Sequence, residues 1–387
     1  MGDEITAENA GRSGRRQLTA VDLFAGAGGM SRGLTEAGFR VIAAAERDVQ
    51  AFQTYRLNHG GTGQLLQRDV RELAPADLLG ARRRRRLDLV AGGPPCQGFS
   101  IKGERRADHP GNKMLMEFVR LIAELRPRAV LLENVPGLLT LAGGYYFDRL
   151  VTGLERIRLA DGGRYDVEFA ILNAAEFGVP QLRRRLFVVA VEPGRRWQWP
   201  PVVSAPGDIT LWDAIADLPE HVHGDGPPPY AGPPVSAYAS SLRRGSTVLN
   251  HHTKRLEELR LRRLAALEPG QDSRHLPEEL QAGGHETKYR RLRPAQPCPT
   301  VTAHMGKDMS DFIHPYLHRT LTVREAARIQ GFPDDYEFVG SLASQFTQVG
   351  NAVPVPLARE LGRELVATLK RRKASPAGVA EDRRQLA

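Results

Sequence analysis

The sequence has only two cysteines, Cys96 and Cys298, among its 387 residues. Two thiols exclude the disulfide framework of a small secreted protein and any cysteine-rich zinc site. Cys298 lies between two prolines and is interpreted as an ordinary loop or core residue. Five histidines also lack the spacing of metal ligands: His251, His252, His304, His314 and His318. We therefore predict that the protein binds no metal.

Long apolar runs are missing as well. No uninterrupted run approaches the roughly 20 apolar residues that a membrane helix needs. The polar start, MGDEITAENAGRSGRRQ, lacks the apolar core of a secretory signal. Hydrophobic residues at 41% and aromatic residues at 6% are typical of a globular protein. These features predict a cytoplasmic protein without a membrane span.

Positive charge exceeds negative charge, and the formal net charge is +9. This balance suits a polyanionic partner such as nucleic acid, although arginine-rich composition also arises in GC-rich genomes. The arginine run at residues 82–86 directly precedes a predicted strand and is interpreted as a solvated loop. Charge alone therefore leaves nucleic-acid binding open.

Short apolar segments alternate with helical patterns in the first half of the chain. Six segments predict strands: QLTAVDLF (17–24), RVIAAAE (40–46), LDLVAGG (87–93), AVLLENVP (129–136), VEFAILNA (167–174) and LFVVAV (186–191). Amphipathic stretches such as MSRGLTEAG and NKMLMEFVRLIAELRP predict helices between them. This alternation predicts an α/β fold with a doubly wound, mostly parallel sheet.

The composition changes after residue 191, where clusters of proline and glycine replace the apolar segments. We predict a smaller inserted domain at 192–321 and a hinge at 322–339. One discontinuous catalytic and cofactor-binding domain would comprise residues 17–191 and 340–370. The remaining residues, 1–16 and 371–387, would be flexible tails.

A glycine turn, DLFAGAGG, joins the first predicted strand to the first predicted helix. Gly26, Gly28 and Gly29 would let a ligand approach the backbone and the helix N-terminus. Glu46 and Asp69 follow predicted strands, where carboxylates can accept hydrogen bonds from a nucleoside. The pattern predicts an adenosine pocket at the carboxyl edge of the sheet. A nicotinamide site fits these features equally well.

Cys96 stands in GGPPCQGFS, directly after another predicted strand. The turn would hold its sulfur at the same edge as the nucleoside pocket, because parallel strands end together there. Prolines stiffen the turn, and Gly98 lets the following loop move. A structural cysteine would normally lie inside an apolar run, so this position favours a chemical role.

Seven motifs now resemble those of DNA (cytosine-5) methyltransferases, and they occur in that family's order: DLFAGAGG, ERD, GGPPCQGFS, ENVPGL, QLRRR, RTLTVREAARIQGFPDDY and QVGNAVP. The resemblance covers residues 19–365 and is weak between 192 and 289. It implies a Rossmann-like class I methyltransferase with an inserted target-recognition domain. Bacterial modification methylases that use S-adenosylmethionine and release S-adenosylhomocysteine are the implied type.

The resemblance also implies the catalytic residues. The Cys96 thiolate would add to C6 of a cytosine flipped out of the duplex, and Glu133 would donate a proton toward N3. Arg185 would bind the cytosine O2, and Arg183 would help to hold the reactive geometry. A lid at 97–111 would close behind the extruded base.

The implied binding residues form two sets. Cofactor binding is carried over to Phe24, Gly26, Gly28, Gly29, Glu46, Arg47, Asp69, Val70, Pro94, Asn351 and Val353. In this set the resemblance implies that Glu46 binds the ribose and Asp69 the adenine amino group. Substrate binding is carried over to Gln97, Ser100, Asn134 and Gln181. Loops containing GGHETKYRRLRPAQP and TAHMGKDMSD would read bases. Val355 replaces a proline found in many relatives, and we expect little loss from this.

The expected partner is double-stranded DNA, and the expected state is a monomer in the bacterial cytoplasm, associated with the nucleoid. A cognate restriction endonuclease that acts separately is left open. Three alternatives remain: an enzyme of the same family acting on transfer RNA, a catalytically inactive DNA-binding relative, and a nicotinamide oxidoreductase. The long insertion favours DNA over transfer RNA.

Overall fold

The computed structural model describes residues 16–61, 63–80, 86–95, 113–221, 226–281, 288–308, 312–371 and 373. The strands in these ranges are β1 Thr19–Leu23, β2 Arg40–Ala45, β3 Gln64–Leu66, β4 Leu89–Gly92, β5 Ala129–Asn134, β6 Asp166–Asn173, β7 Gln181–Leu182, β8 Arg184–Val191, β9 Arg290–Arg291, β10 Cys298–Pro299 and β11 Phe312–Ile313. The helices are α1 Gly29–Glu36, α2 Val49–His59, α3 Pro75–Leu79, α4 Lys113–Leu125, α5 Tyr145–Arg156, α6 Leu211–Ile215, α7 Ala237–Leu242, α8 Glu258–Ala265, α9 Met305–Asp308, α10 Val323–Ile329, α11 Leu342–Asn351 and α12 Val355–Lys370.

The main sheet has seven strands in the order β3-β2-β1-β4-β5-β8-β6. All pairs from β3 to β5 are parallel, and β8 runs antiparallel to both β5 and β6. The predicted doubly wound, mostly parallel α/β sheet is confirmed. Each of the six predicted strand segments contains or overlaps a strand of this sheet.

The reversal of β8 follows from its short connection to β6. Only residues 174–183 separate the two strands. A parallel pair needs a crossover of a dozen or more residues, usually a helix. The connection is too short for that, so β8 returns antiparallel and inserts between β5 and β6.

The core lies on both faces of the sheet because successive side chains of a strand point in opposite directions. In β4, Val90 packs on the face that α4 covers, together with Phe118. Its neighbours Leu89 and Ala91 pack on the other face, together with Leu361 of α12. Buried strands covered on both sides therefore read as the continuous apolar runs seen in the sequence.

The C-terminal helix α12 lies directly against α1 of the N-terminal half. Small residues permit this close approach: a Cβ atom added at Gly33 would lie 2.5 Å from the Ala358 Cβ. A Cβ added at Gly362 would lie 2.6 Å from the Ala37 Cβ. Helices from the two ends of the described chain thus pack together on one face of the main sheet.

A third hydrophobic cluster lies outside the sheet and joins α6, α10 and α11. Every residue of α10 is buried, so this segment, which begins the predicted hinge, packs inside the cluster. Cys298 is also buried there, as expected of a core cysteine. The domain boundaries and flexible tails stay predictions. None of the helices in the described ranges has the length and apolar character to cross a membrane.

Candidate active site

The glycine turn connects β1 to α1 and lies next to the end of β2. Phe24 and Gly26 both adopt positive φ angles, of 57° and 55°, which bend the chain sharply after the strand. Glu46 follows β2, and its Oε2 accepts a hydrogen bond from the Gly26 amide at 2.9 Å. Its Oε1 accepts from the Asp48 amide at 2.7 Å, and burial raises the pKa of the Glu46 carboxyl. The turn and this carboxylate are therefore one hydrogen-bonded unit.

The three predicted glycines have different surroundings. A Cβ atom added at Gly26 would meet no atom within 4 Å, so the backbone there borders open space. A Cβ at Gly28 would lie 2.6 Å from both His59 Nε2 and Tyr336 Oη. A Cβ at Gly29 would lie 2.5 Å from the Val353 carbonyl oxygen. Only Gly26 offers a ligand room, whereas Gly28 and Gly29 allow the protein to pack closely.

Asp69 lies beyond the end of β3 and caps a short 3-10 turn, Val70–Glu72. The Arg71 guanidinium donates to both carboxylate oxygens, at 2.9 and 2.8 Å. These hydrogen bonds lower the pKa of the Asp69 carboxyl to about 2. Arg47 is exposed, and its Nη1 approaches Asp69 Oδ2 at 3.4 Å. The predicted acceptor for adenine is thus already engaged by two arginines.

Four other predicted cofactor residues lie near this edge or beneath it. Val70 is buried in the main core, and Pro94 is buried after β4. Val353 is buried beside Gly29, at the turn that follows α11. Asn351 ends α11 and is exposed. These positions permit contact with a ligand only through Asn351 and through backbone atoms of the turns.

Glu133 lies near the end of β5 at the same edge. Its Oε1 is 3.0 Å from Arg185 Nε, and only 12% and 14% of the two side chains are exposed. A Cβ atom added at Gly93 would lie 3.3 Å from Glu133 Oε2. Asn134 Nδ2 donates to the Pro94 carbonyl at 3.2 Å and so holds the chain beside β5. The segment that leads to Cys96 therefore runs alongside this acid and arginine.

Several predicted residues lie outside the described residues. They are Cys96, Gln97, Ser100 and the whole of the predicted lid, 97–111. Parts of the predicted base-reading loops, residues 283–287 and 309–311, lie outside them too. Their roles stay predictions.

Gln181 and Arg183 are fully buried and bind backbone groups far along the chain. Gln181 Oε1 accepts from the Val301 amide at 2.9 Å, and its Nε2 donates to Gln330 Oε1 at 2.9 Å. Arg183 donates to the carbonyl oxygens of Val301, Gly350 and Ala352 at 2.6 to 3.1 Å. The two side chains join the segment between β6 and β8 to the third cluster, which favours positioning roles over direct contact with a base.

The sequence offered no role for a buried network beneath the glycine turn. The Ser31 hydroxyl donates to Asp22 Oδ2 at 2.6 Å and contacts the Tyr55 hydroxyl at 2.8 Å. Burial raises the pKa of the Asp22 carboxyl to about 7, although the Ser31 hydrogen bond opposes this rise. The sequence signal that could have indicated this network is Asp22, a single aspartate inside the apolar strand β1.

A second missed contact links the turn to the third cluster. Tyr336 donates a hydrogen bond to the Ala27 carbonyl, and His59 Nε2 lies 2.9 Å from the Tyr336 hydroxyl. Burial lowers the pKa of His59 to about 4, so this histidine stays neutral near pH 7. No spacing in the sequence could relate residues 27 and 336.

Asp22 predicts a pH dependence of stability. Its pKa is raised on folding, so between about pH 4 and pH 7 the unfolded carboxyl ionises while the folded one keeps its proton. The free energy of unfolding should therefore fall as pH rises through this window, by up to about 1.4 kcal/mol per pH unit from this group. Asp22→Asn should remove that slope. Urea unfolding of both proteins from pH 5 to pH 8 measures it, and parallel pH profiles would contradict the assignment.

A glycine turn, a hydrogen-bonded glutamate and an acid paired with arginine all lie at the carboxyl edge of a seven-stranded sheet. The fold is that of a Rossmann-like class I methyltransferase, and the site lies at the sheet edge where proteins of this fold bind their ligands. The chain belongs to the C-5 cytosine-specific DNA methylase family, whose model matches residues 18–367. This membership decides against the nicotinamide oxidoreductase alternative.

Individual relatives agree. The type II methyltransferase M.AgeI of Thalassovita gelatinovora is 34% identical, over 91% of this chain and 99% of that protein. The type II methyltransferase M.DdeI of Desulfomicrobium norvegicum is 36% identical, over 90% and 88%. A solved structure described as a prophage-encoded DNA modification methyltransferase of E. coli has a TM-score of 0.74 at 26% identity, over 92% of this chain and all of that one.

The described residues contain no group of three or more histidine, cysteine, aspartate or glutamate side chains that could hold a metal ion. The buried His251 and the partly buried His252 have other partners. His251 Nε2 contacts the Pro219 carbonyl at 2.6 Å, and His252 Nε2 lies 2.9 Å from Gln345 Oε1. In these contacts the rings serve to hold the third cluster together.

Proposed function

We propose that the protein methylates C5 of a cytosine within a specific sequence of double-stranded DNA, using S-adenosylmethionine. The observation that carries this proposal is the ion pair between Glu133 and Arg185, whose Oε1 and Nε atoms are 3.0 Å apart. The pair lies beside Gly93, which precedes Cys96 by three residues in the sequence. A thiol, a proton donor and a guanidinium are the groups that activate a cytosine ring. The names of M.AgeI and M.DdeI further support a modification methylase, either within a restriction-modification system or solitary.

The residues of the glycine turn fit an adenosyl cofactor. Gly26 borders open space, and the Glu46 carboxylate beside it is held by two backbone amides. A carboxylate in this position can accept hydrogen bonds from ribose hydroxyls. When bound, S-adenosylmethionine supplies an electrophilic methyl group attached to a positively charged sulfur. Phe24, at the start of the same turn, would help to hold the cofactor.

The protein residues would activate and release the base. The Cys96 thiolate forms a bond to C6, and Glu133 donates a proton toward N3, so negative charge does not accumulate on the ring. Arg185 would bind O2, and its positive charge would favour the thiolate form of Cys96. Once C5 carries the methyl group, a base such as water takes the C5 proton, the freed electron pair forms the C5–C6 double bond, and the C6–sulfur bond breaks to return the Cys96 thiolate. The N3 proton returns to Glu133, which restores the aromatic ring. The cytosine must leave the helix for this attack.

Covalent trapping tests the proposal. In duplex DNA containing 5-fluoro-2′-deoxycytidine, C5 carries fluorine in place of the proton that must leave, so Cys96 cannot be expelled after methyl transfer. We expect a complex that survives denaturation and requires S-adenosylmethionine. Transfer of labelled methyl groups to unmodified duplex DNA but not to transfer RNA should accompany it. Absence of both adduct and label would contradict the proposal.

A further inference from the structure

The Asp69 carboxylate has four hydrogen-bond donors around it. Oδ1 accepts from the Arg71 amide at 3.0 Å and from Arg71 Nε at 2.9 Å. Oδ2 accepts from Arg71 Nη2 at 2.8 Å and faces Arg47 Nη1 at 3.4 Å. A carboxylate offers about four lone-pair positions, so these donors fill its capacity. A further donor must displace one of them.

The proposed function supplies such a donor, the 6-amino group of adenine. We propose that the Arg71 guanidinium competes with this amino group for Asp69, and that Arg71 thereby lowers the affinity of the protein for adenosyl ligands. This inference rests on the proposed function. It identifies a residue that tunes cofactor affinity without being required for catalysis.

Arg47 is the donor most easily displaced, because its single contact is long and its side chain is 73% exposed, whereas Arg71 is the stronger competitor for the carboxylate. Arg71 makes a two-pronged contact with both oxygens at 2.8 and 2.9 Å, whereas Arg47 makes one contact at 3.4 Å. Two-pronged arginine–carboxylate contacts are the stronger kind. Arg71 is nevertheless 58% exposed on its side chain, so a displaced guanidinium can enter water. Competition should therefore be modest, about two- to fivefold in affinity.

Direct binding to S-adenosylhomocysteine tests this without any dependence on turnover. This ligand carries one ammonium and one carboxylate, so long-range attraction to the basic protein contributes little. Calorimetry should show that Arg71→Ala binds it about two- to fivefold more tightly than the wild type. Arg71→Lys keeps the charge but not the two-pronged contact, and should lie between them.

Arg68→Ala is the matched control. Arg68 is a neighbouring exposed arginine, but it pairs with Asp77 at 3.3 Å and with Glu72 at 3.9 Å rather than with Asp69. Its removal should leave the affinity unchanged. High salt should also tighten binding in the wild type more than in Arg71→Ala, because salt screens exposed ion pairs.

A second ligand separates competition from a general effect on the pocket. S-inosylhomocysteine has a carbonyl in place of the 6-amino group and cannot donate to Asp69 there. Arg71→Ala should bind S-adenosylhomocysteine more tightly than the wild type does, but should bind this analogue with unchanged affinity. Equal or weaker binding of S-adenosylhomocysteine by Arg71→Ala, or equal tightening of both ligands, would overturn the inference. A wild-type protein that binds no S-adenosylhomocysteine would instead contradict the cofactor assignment itself, and the inference with it.

Discussion

Replacing Cys96 by serine should reduce methyl transfer by more than about a thousandfold. The sulfur is the group that adds to C6, and a hydroxyl has far too high a pKa to supply the corresponding anion near neutral pH. Within the described residues, the Glu46 carboxylate beside Gly26 is held by the backbone amides of Gly26 and Asp48, which the substitution does not change. We therefore expect unchanged binding of S-adenosylhomocysteine and of duplex DNA.

Single-turnover transfer of labelled methyl groups, with calorimetry on the same preparations, makes this measurement. Cys298→Ser is the matched control, because Cys298 is buried in the third cluster and belongs to no proposed step. Its turnover should stay close to that of the wild type after correction for the folded fraction. A wild-type rate of methyl transfer in Cys96→Ser, or a loss of activity only in Cys298→Ser, would show that Cys96 is not the nucleophile.

Arg328→Leu should cause the largest loss of stability, about 3–5 kcal/mol in the free energy of unfolding. The Arg328 side chain is fully buried in α10 and donates to Asp334 at 2.8 and 2.7 Å. It also donates to Asp217, which follows α6 and is buried as well. Leucine would leave two carboxylates in the protein interior without this partner, which costs far more than the pair itself contributes.

Two further variants identify the cause. Arg363→Leu removes a 57% exposed arginine that pairs with Glu360 at 2.8 Å, and should cost no more than about 1 kcal/mol. Adding Asp217→Asn and Asp334→Asn to Arg328→Leu should recover part of the loss, because the uncompensated charges disappear. Chemical denaturation measures all of these proteins. An Arg328→Leu protein within about 1 kcal/mol of the wild type would contradict the electrostatic account.

The strands of the sheet could be predicted because burial on both faces leaves a local mark, a run of apolar residues. The predicted segment 17–24 contains β1 Thr19–Leu23, and 40–46 contains β2 Arg40–Ala45. The reversed direction of β8 was not predicted. Strand direction depends on which neighbour a strand pairs with, and apolar runs look alike in either direction.

The candidate site could be predicted in its residue types but not in its contacts. Motif order indicated Glu133 and Arg185, and the structure places them 3.0 Å apart. Gln181 and Arg183 were predicted from the same motif, yet their partners lie more than 100 residues later, at Val301 and beyond. Such partners cannot be read from spacing, because the chain between them folds into separate elements.

The sequence by itself determined the family, the alternation of strands and helices, and the order of the chemical groups along the chain. Only the tertiary structure decided which glycine borders open space, that Asp69 is held by Arg71, and that Tyr336 supports the turn at Ala27. The physical reason is that a motif specifies which donors and acceptors are available, whereas packing decides which of them meet. Burial removes competing water, so a contact between residues distant in the chain becomes favourable only when the surrounding elements have come together.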